Sequence, residues 1–317
     1  MAMHMTGEPR DVSPRSRVLY AAAWAAGRSV LRTVPLNERS IAAAQKLDSL
    51  AGLAPGPRYA RSVPHSFGEF DAEWVRSGDT RDDGAVLYFH GGGFFFCGLN
   101  THRRCAARLS QKTGLGVFSV DYRQYPATDL TGSVTDCLTA YRHLLDEGIG
   151  PDRIVFAGDS AGGYLAMATA MRARDTGMPL PAGVVTLSAL FEVDSSARMR
   201  HANAHRDTYV PTKHLPALSE LWSGNGNGRR RPISPVDEDP SGLPPALIIA
   251  AESEVLRLDS ELMAQRLTDA GVPCTLQLWP GQVHAFPVLG HMLPESKAAL
   301  TEVASFIRNT TGGGSRR

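Results

Sequence analysis

The chain has 317 residues, 43% apolar and 21% charged, with a formal net charge of +1. That composition is ordinary for a soluble globular protein. It gives no electrostatic footprint for nucleic acid or an anionic membrane, and no apolar run reaches the length of a membrane span. The length suits one large domain.

In chain order, Met1 to Pro14 reads as a disordered tail. Val18 to Gly27 is apolar and follows arginines, like the apolar region of a signal peptide. However, Arg28 and Arg32 come at once, and Leu19, Ala22, Ala26 and Val30 keep helical spacing, so an amphipathic cap helix is expected. Residues 15 to about 55 read as helices, and Ser62–Phe67 with Glu69–Ser77 as a hairpin turning at Gly68. Strands and helices then alternate: strand Ala85–Phe89, helix Thr101–Lys112, strand Gly116–Asp121, helix Gly132–Leu145, strand Arg153–Gly158, helix Ala161–Arg174 and strand Gly183–Ser188. Asp194 to Ser223 breaks the alternation; it is polar and helical, with no strand. Strand Ala246–Ala250, helix Leu256–Ala270 and strand Thr275–Trp279 resume it.

This pattern predicts an α/β fold: a mostly parallel eight-stranded sheet flanked by helices. The cap comes from the N-terminus (1–60) and from an insertion after the sixth strand (194–223), over the strand C-terminal ends. The core is 61–193 with 224–311, and 312–317 is a second disordered tail. Arg229-Arg230-Arg231, beside the glycine-rich stretch Gly224–Gly228, reads as a solvated loop.

Two motifs carry the chemistry. Gly158-Asp159-Ser160-Ala161-Gly162 fits G-x-S-x-G, a nucleophile elbow in which serine sits on a sharp strand-to-helix turn. His90-Gly91-Gly92-Gly93, 70 residues earlier from His90 to Ser160, is a glycine-rich loop whose N–H groups can face a developing oxyanion. A serine hydroxyl needs a base, and the base needs an acid to fix its tautomer. In α/β-hydrolases the order is Ser, then Asp or Glu, then His. His284 fits the base, in a turn after the last strand; His291 lies nearer the final helix. The acid should follow Ala246–Ala250, where Glu252, Glu254 and Asp259 are the candidates. Glu254, in the loop that opens the next helix, is the preferred one.

These residues give the chain a family likeness. From about Asp71 to Arg308 it resembles the hormone-sensitive-lipase-like branch of the α/β-hydrolases, the bacterial family IV esterases. His90–Phe94 resembles the HGGG signature, Asp121-Tyr122-Arg123-Gln124-Tyr125-Pro126 the [DS]-Y-R-x-x-P segment, Gly158–Gly163 the GDSAGG elbow, and Gly281–Phe286 the G-x-x-H-x-F loop. One segment departs. The family usually carries D-P-L-x-D, and here Glu254-Val255-Leu256-Arg257-Leu258-Asp259 stands in its place. The resemblance implies that Glu254 inherits the acid role and that Asp259, five residues on where the pattern has four, matches the second, non-catalytic Asp. It implies oxyanion donors at Gly92, Gly93 and Ala161, with Gly91 shaping the loop and Asp159 positioning it.

The implied function is hydrolysis of short to medium acyl esters through Ser160, His284 and Glu254 with a covalent acyl-enzyme. No cofactor or metal is required. Amidase, deacetylase, lactonase or acyltransferase chemistry on the same triad is the alternative. A ligand-binding protein of this fold is disfavoured: plant gibberellin receptors resemble the family but lose the histidine, which is present here. Phe94, Phe95, Leu99 and Phe191 are candidate pocket walls, with ordinary core packing as the competing reading. His201 and His205 stand four apart on a possible cap helix but lack the glutamate and third ligand of a zinc site. Cys97, Cys105, Cys137 and Cys274 show no C-x-x-C spacing, so free thiols and a cytoplasmic setting are expected. The resemblance also leaves open a homodimer, because such enzymes often pair through the sheet edge at the last strand and helix.

Overall fold

Short apolar runs with no polar face can be buried only between helices on both sides. In the computed structural model this holds for β4 (Arg81–Phe89), β6 (Ile154–Asp159), β7 (Gly183–Leu187) and β8 (Ala246–Ala251), which form the centre of the sheet. The structure describes residues 4–5, 11–27, 33–78, 80–210, 212–222 and 233–312. The remaining strands are β1 (His4–Met5), β2 (Ala60–Ser66), β3 (Asp71–Ser77), β5 (Leu115–Asp121) and β9 (Cys274–Trp279). Their order is β1-β9-β8-β7-β6-β4-β5-β3-β2, parallel except where β3 meets β2 and β5. The expected hairpin is the antiparallel end, with Gly68 at φ 87° in its turn.

Alternate residues of β4 serve the two faces. Leu87 and Phe89 join one core with the helices Leu130–Asp146, Ala161–Asp175 and Arg257–Asp269. Val86 and Tyr88 join the other with the helices Leu99–Thr113 and Pro294–Thr311.

The N-terminal segment corrects the expectation of a disordered tail to Pro14. His4 and Met5 pair in parallel with Thr275 and Leu276, adding a ninth, two-residue strand to the eight expected. Pro14 opens the helix Pro14–Ala22, whose cap Ser13 accepts from the Ser16 N–H. Ser13 and Ser16 both hydrogen-bond the Glu295 carboxylate of the final helix (2.6–3.0 Å). A second helix, Glu38–Gly52, places Asp48 where it accepts from the Thr101 N–H (2.8 Å) and the Asn100 side chain (2.8 Å). It thereby caps Leu99–Thr113 from outside. Gly312 caps the C-terminal end of the final helix.

The insertion holds the helices Ser196–Arg200 and Leu215–Trp222 with short 3-10 turns between them, and no strand among its described residues. The remaining N-terminal positions, Arg28, Val30 and Arg32, the Gly224–Gly228 stretch with Arg229–Arg231, and 313–317 lie outside the described residues. Ser160, Glu254, His284 and the glycine loop all follow the C-terminal ends of parallel strands, where such sheets bind ligands.

Candidate active site

β6 ends at Asp159 and the next helix begins at Ala161, so Ser160 alone must reverse the chain. It does so at φ 52°, ψ −117°, a conformation that L-residues rarely adopt. Its N–H donates to Leu187 O (2.8 Å), and its carbonyl accepts from Gly163 (3.0 Å) and Leu190 (3.2 Å). The flanking glycines are required by space. A Cβ at Gly158 would collide with the Gly162 carbonyl, and one at Gly162 with the Phe89 carbonyl.

The glycine loop after β4 is fixed from below by Asp159. Its buried carboxylate accepts from the Tyr88 hydroxyl (2.6 Å) and the Gly91 N–H (3.1 Å), and meets His102 Nε2 at 3.4 Å. Burial opposes its charge, but His102 and Tyr88 outweigh burial and hold the carboxyl below its ordinary value. His102, buried as well, is held above the ordinary histidine value by Asp159 despite that burial. Gly92 and Gly93 take φ 118° and 61°. The Gly92 carbonyl accepts from both Phe95 and Phe96 (3.1 Å each), which closes the turn. The [DS]-Y-R-x-x-P segment supports the loop from the side: Tyr122 stacks on His90 and donates to its carbonyl (2.8 Å), and the Tyr125 N–H donates to Phe94 O (2.8 Å). Among the described residues, the N–H groups of Gly92, Gly93 and Ala161 meet no protein acceptor, which leaves them available to an oxyanion.

His284 joins the two halves. Its Nε2 lies 3.0 Å from Ser160 Oγ and its Nδ1 2.7 Å from Glu254 Oε2. Glu254 is buried, and its other oxygen accepts from the Ala251 N–H (2.8 Å). The turn after β8, closed by Glu254 N–H to Ala251 O (3.3 Å), brings the longer glutamate arm back toward the histidine loop. Burial works against an imidazolium at His284, yet the Glu254 carboxylate outweighs it and raises the imidazole above the ordinary value. Burial pushes Glu254 itself up, with His284 opposing. The other two acid candidates point elsewhere. Glu252 is exposed, and fully buried Asp259 accepts from Arg198 (2.8 Å) and from the N–H groups of Phe191 (2.8 Å) and Glu192 (2.9 Å).

A family model described as the alpha/beta hydrolase fold matches residues 86–288. The chain is 39% identical over 265 residues to the esterase LipU of Mycobacterium tuberculosis, covering 80% of this chain and 88% of that one. It is 32% identical to an acetyl-hydrolase of Streptomyces hygroscopicus, covering 89% and 93%. A crystal structure of an esterase from the bacterial hormone-sensitive lipase family superposes with a TM-score of 0.85 at 30% identity, over 96% of this chain and all of that one. The chain belongs to the hormone-sensitive-lipase-like branch of the α/β-hydrolases.

In this hydrolase the cap insertion reaches the site at several points that the motifs did not reveal. Trp222 donates its indole N–H to Gly93 O (2.9 Å). The Tyr209 ring lies beside His284 at 5.9 Å between centroids. Asn203 and Asp207 bond the backbone around Glu254. Beneath the histidine loop, Ser188 Oγ accepts from the Ala285 N–H (3.0 Å), and this contact too is invisible in the sequence. Of the proposed pocket walls, Phe191 is 0% exposed and belongs to the core, so it presents no surface to a ligand. Phe94 is also buried, edge-on to Tyr164 and Trp222, whereas Phe95 and Leu99 keep partial exposure. His201 and His205 do not share an α-helix: His201 is extended (ψ 146°) and caps the 3-10 turn Ala202–His205, so the four-residue spacing does not align them.

Proposed function

We propose that this hydrolase cleaves short to medium acyl carboxylic esters through a Ser160–His284–Glu254 triad. The observation that carries the reading is the unbroken line from Ser160 Oγ to His284 (3.0 Å) to Glu254 (2.7 Å), beside three N–H groups that meet no acceptor among the described residues. Ser160 Oγ attacks the acyl carbon as His284 Nε2 takes its proton. The carbonyl oxygen gathers negative charge, which the N–H groups of Gly92, Gly93 and Ala161 stabilise. Removing one such donor typically lowers the rate roughly 10²–10³-fold. His284 returns the proton to the leaving alcohol, and an acyl-enzyme remains on Ser160. Water, deprotonated by His284, then releases the acid and restores the serine. Glu254 holds the imidazole in the tautomer with Nδ1 protonated and stabilises its charged form.

Small acyl groups are supported by two relatives: the Streptomyces protein is an acetyl-hydrolase, and a structure of EstE5, 28% identical with a TM-score of 0.84, was soaked with p-nitrophenyl butyrate. Phe95 and Leu99, next to the oxyanion loop, are the proposed pocket walls, with Phe94 behind them. No helix among the described residues is long and apolar enough to cross a membrane. The four cysteines are free thiols, which supports a cytoplasmic setting. A homodimer through the β9 edge would have to form alongside β1, which already pairs with Thr275 and Leu276.

The test is a p-nitrophenyl ester series from acetate to palmitate. The reading expects a maximum at short to medium chains and loss of activity in Ser160→Ala. A wild type inactive on every chain length, yet active on amides, would shift the assignment to amide chemistry.

A further inference from the structure

The turn that carries Glu254 is held from the cap. Asn203 and Asp207, both in the insertion and both buried, bond its backbone. Asn203 Nδ2 donates to the carbonyls of Glu252 (2.8 Å) and Glu254 (2.9 Å). Asp207 Oδ2 accepts from the Val255 N–H (2.8 Å), while its Oδ1 accepts from the N–H groups of Tyr209 (2.8 Å) and Val210 (2.9 Å). One carboxylate therefore orders the insertion and fastens it to the residue after the acid.

This contact depends on where the chain departs from its family's D-P-L-x-D pattern. A proline after the acid has no N–H to donate. Here that residue is Val255, and its N–H is the one Asp207 accepts. The second departure, glutamate for aspartate, lengthens the acid by one methylene and adds a rotatable bond whose freedom must be suppressed. Both departures meet at this contact.

We propose that Asp207, supported by Asn203, is a positioning residue for Glu254, so that the cap insertion holds the catalytic acid in register with His284. The proposal rests on Glu254 being the triad acid. The triad acid and base face Ser160 from the elbow, Asp159 from β6, Asp207 and Tyr209 from the insertion, and the Ala251 N–H from β8. Burial is the largest influence on both and Glu254 the next on His284; Asp207 then raises both partners. Removing its charge lowers the proton affinity of His284, so the acid limb of kcat/KM moves to lower pH.

The experiment measures kcat, KM and the pH profile with p-nitrophenyl butyrate for wild type, Asp207→Ala, Asp207→Asn and Asn203→Ala, with Ser160→Ala as control and a thermal melt for each. Asparagine carries no charge and keeps one oxygen, which can accept either from Val255 or from Tyr209 and Val210, but not from both sides at once. Asp207→Ala is expected to lose about 10²-fold in kcat, as for a misplaced catalytic group, with KM little changed. Asp207→Asn is expected to fold, to keep more of kcat than Asp207→Ala, and to shift the acid limb to lower pH. Asn203→Ala should lower kcat without moving that limb. The proposal is overturned if folded Asp207 variants match the wild type in kcat and acid limb, whatever their melting temperatures. It is also overturned if Asp207→Ala fails to fold while Asp207→Asn keeps the wild-type profile. An inactive wild type, or an active Ser160→Ala, overturns the ester-hydrolase reading instead.

Discussion

The indole N–H of Trp222 donates to the carbonyl oxygen of Gly93 at 2.9 Å, tying the last turn of the helix Leu215–Trp222 to the glycine loop. The same ring meets Phe94 edge-on, 5.7 Å between centroids. Gly93 stands in the left-handed region and its own N–H is a proposed oxyanion donor, so this bond restrains the peptide that follows the donor. Trp222→Phe keeps most of the ring and removes the bond. One such hydrogen bond contributes about 1 kcal/mol, so kcat should fall roughly fivefold with KM nearly unchanged. Steady-state kinetics on p-nitrophenyl butyrate check this.

Glu254→Gln should lower kcat by about 10⁴-fold, as expected when a triad acid can no longer fix the histidine tautomer. The residual activity should also titrate differently. His284 is held above its ordinary 6.5, so the wild-type acid limb of kcat/KM lies above that value, and the substitution moves it down. Stability runs the other way. What the protonated imidazole contributes to stability is fully present below pH 6.5 and is lost as pH rises through the raised folded value. A pH–rate profile with parallel melting curves tests both signs.

Asp259→Ala separates the fold from the chemistry. Asp259 and Arg198 are both fully buried and paired at 2.8 Å. Removing one partner of such a pair destabilises by roughly 3–5 kcal/mol. Asp259 does not touch His284, so kcat per folded molecule should stay near the wild-type value at a temperature where the variant is folded. Denaturant unfolding and active-site titration measure the two quantities.

Gly162→Ala places a methyl group against the Phe89 carbonyl, which is backbone and cannot turn aside. The resulting strain should destabilise by about 1–3 kcal/mol, and the displaced elbow should lose activity even in the folded fraction. Calorimetry together with the ester assay checks this.

The sequence made the elbow and its strand legible because their requirements are local: glycines where a Cβ has no room, a serine between strand and helix, an apolar run without a polar face. The place of His284 was legible for the same reason, as a histidine in a turn after an alternating strand. Its carboxylate partner was less so. Glu252, Glu254 and Asp259 lie within eight residues, and only the tight turn at Ala251–Glu254 and the helix start at Arg257 decide which carboxylate reaches His284. Trp222, Asn203, Asp207 and Ser188 act through contacts distant in sequence, which no local pattern reports. Phe191 shows the converse: an aromatic near the site in sequence that the core absorbs. The N-terminal strand was missed because two residues carry no periodicity; their pairing comes from the exposed edge of β9.

The most direct test of the account is covalent trapping. The protein is treated with diethyl p-nitrophenyl phosphate, and the adduct is located by intact-mass and peptide mass spectrometry while esterase activity is followed. A single phosphoryl adduct on Ser160, forming in step with loss of activity and strongly slowed in His284→Ala, is the predicted result. Inactivation with the adduct on another residue, or Ser160→Ala hydrolysing esters at the wild-type rate, would contradict it.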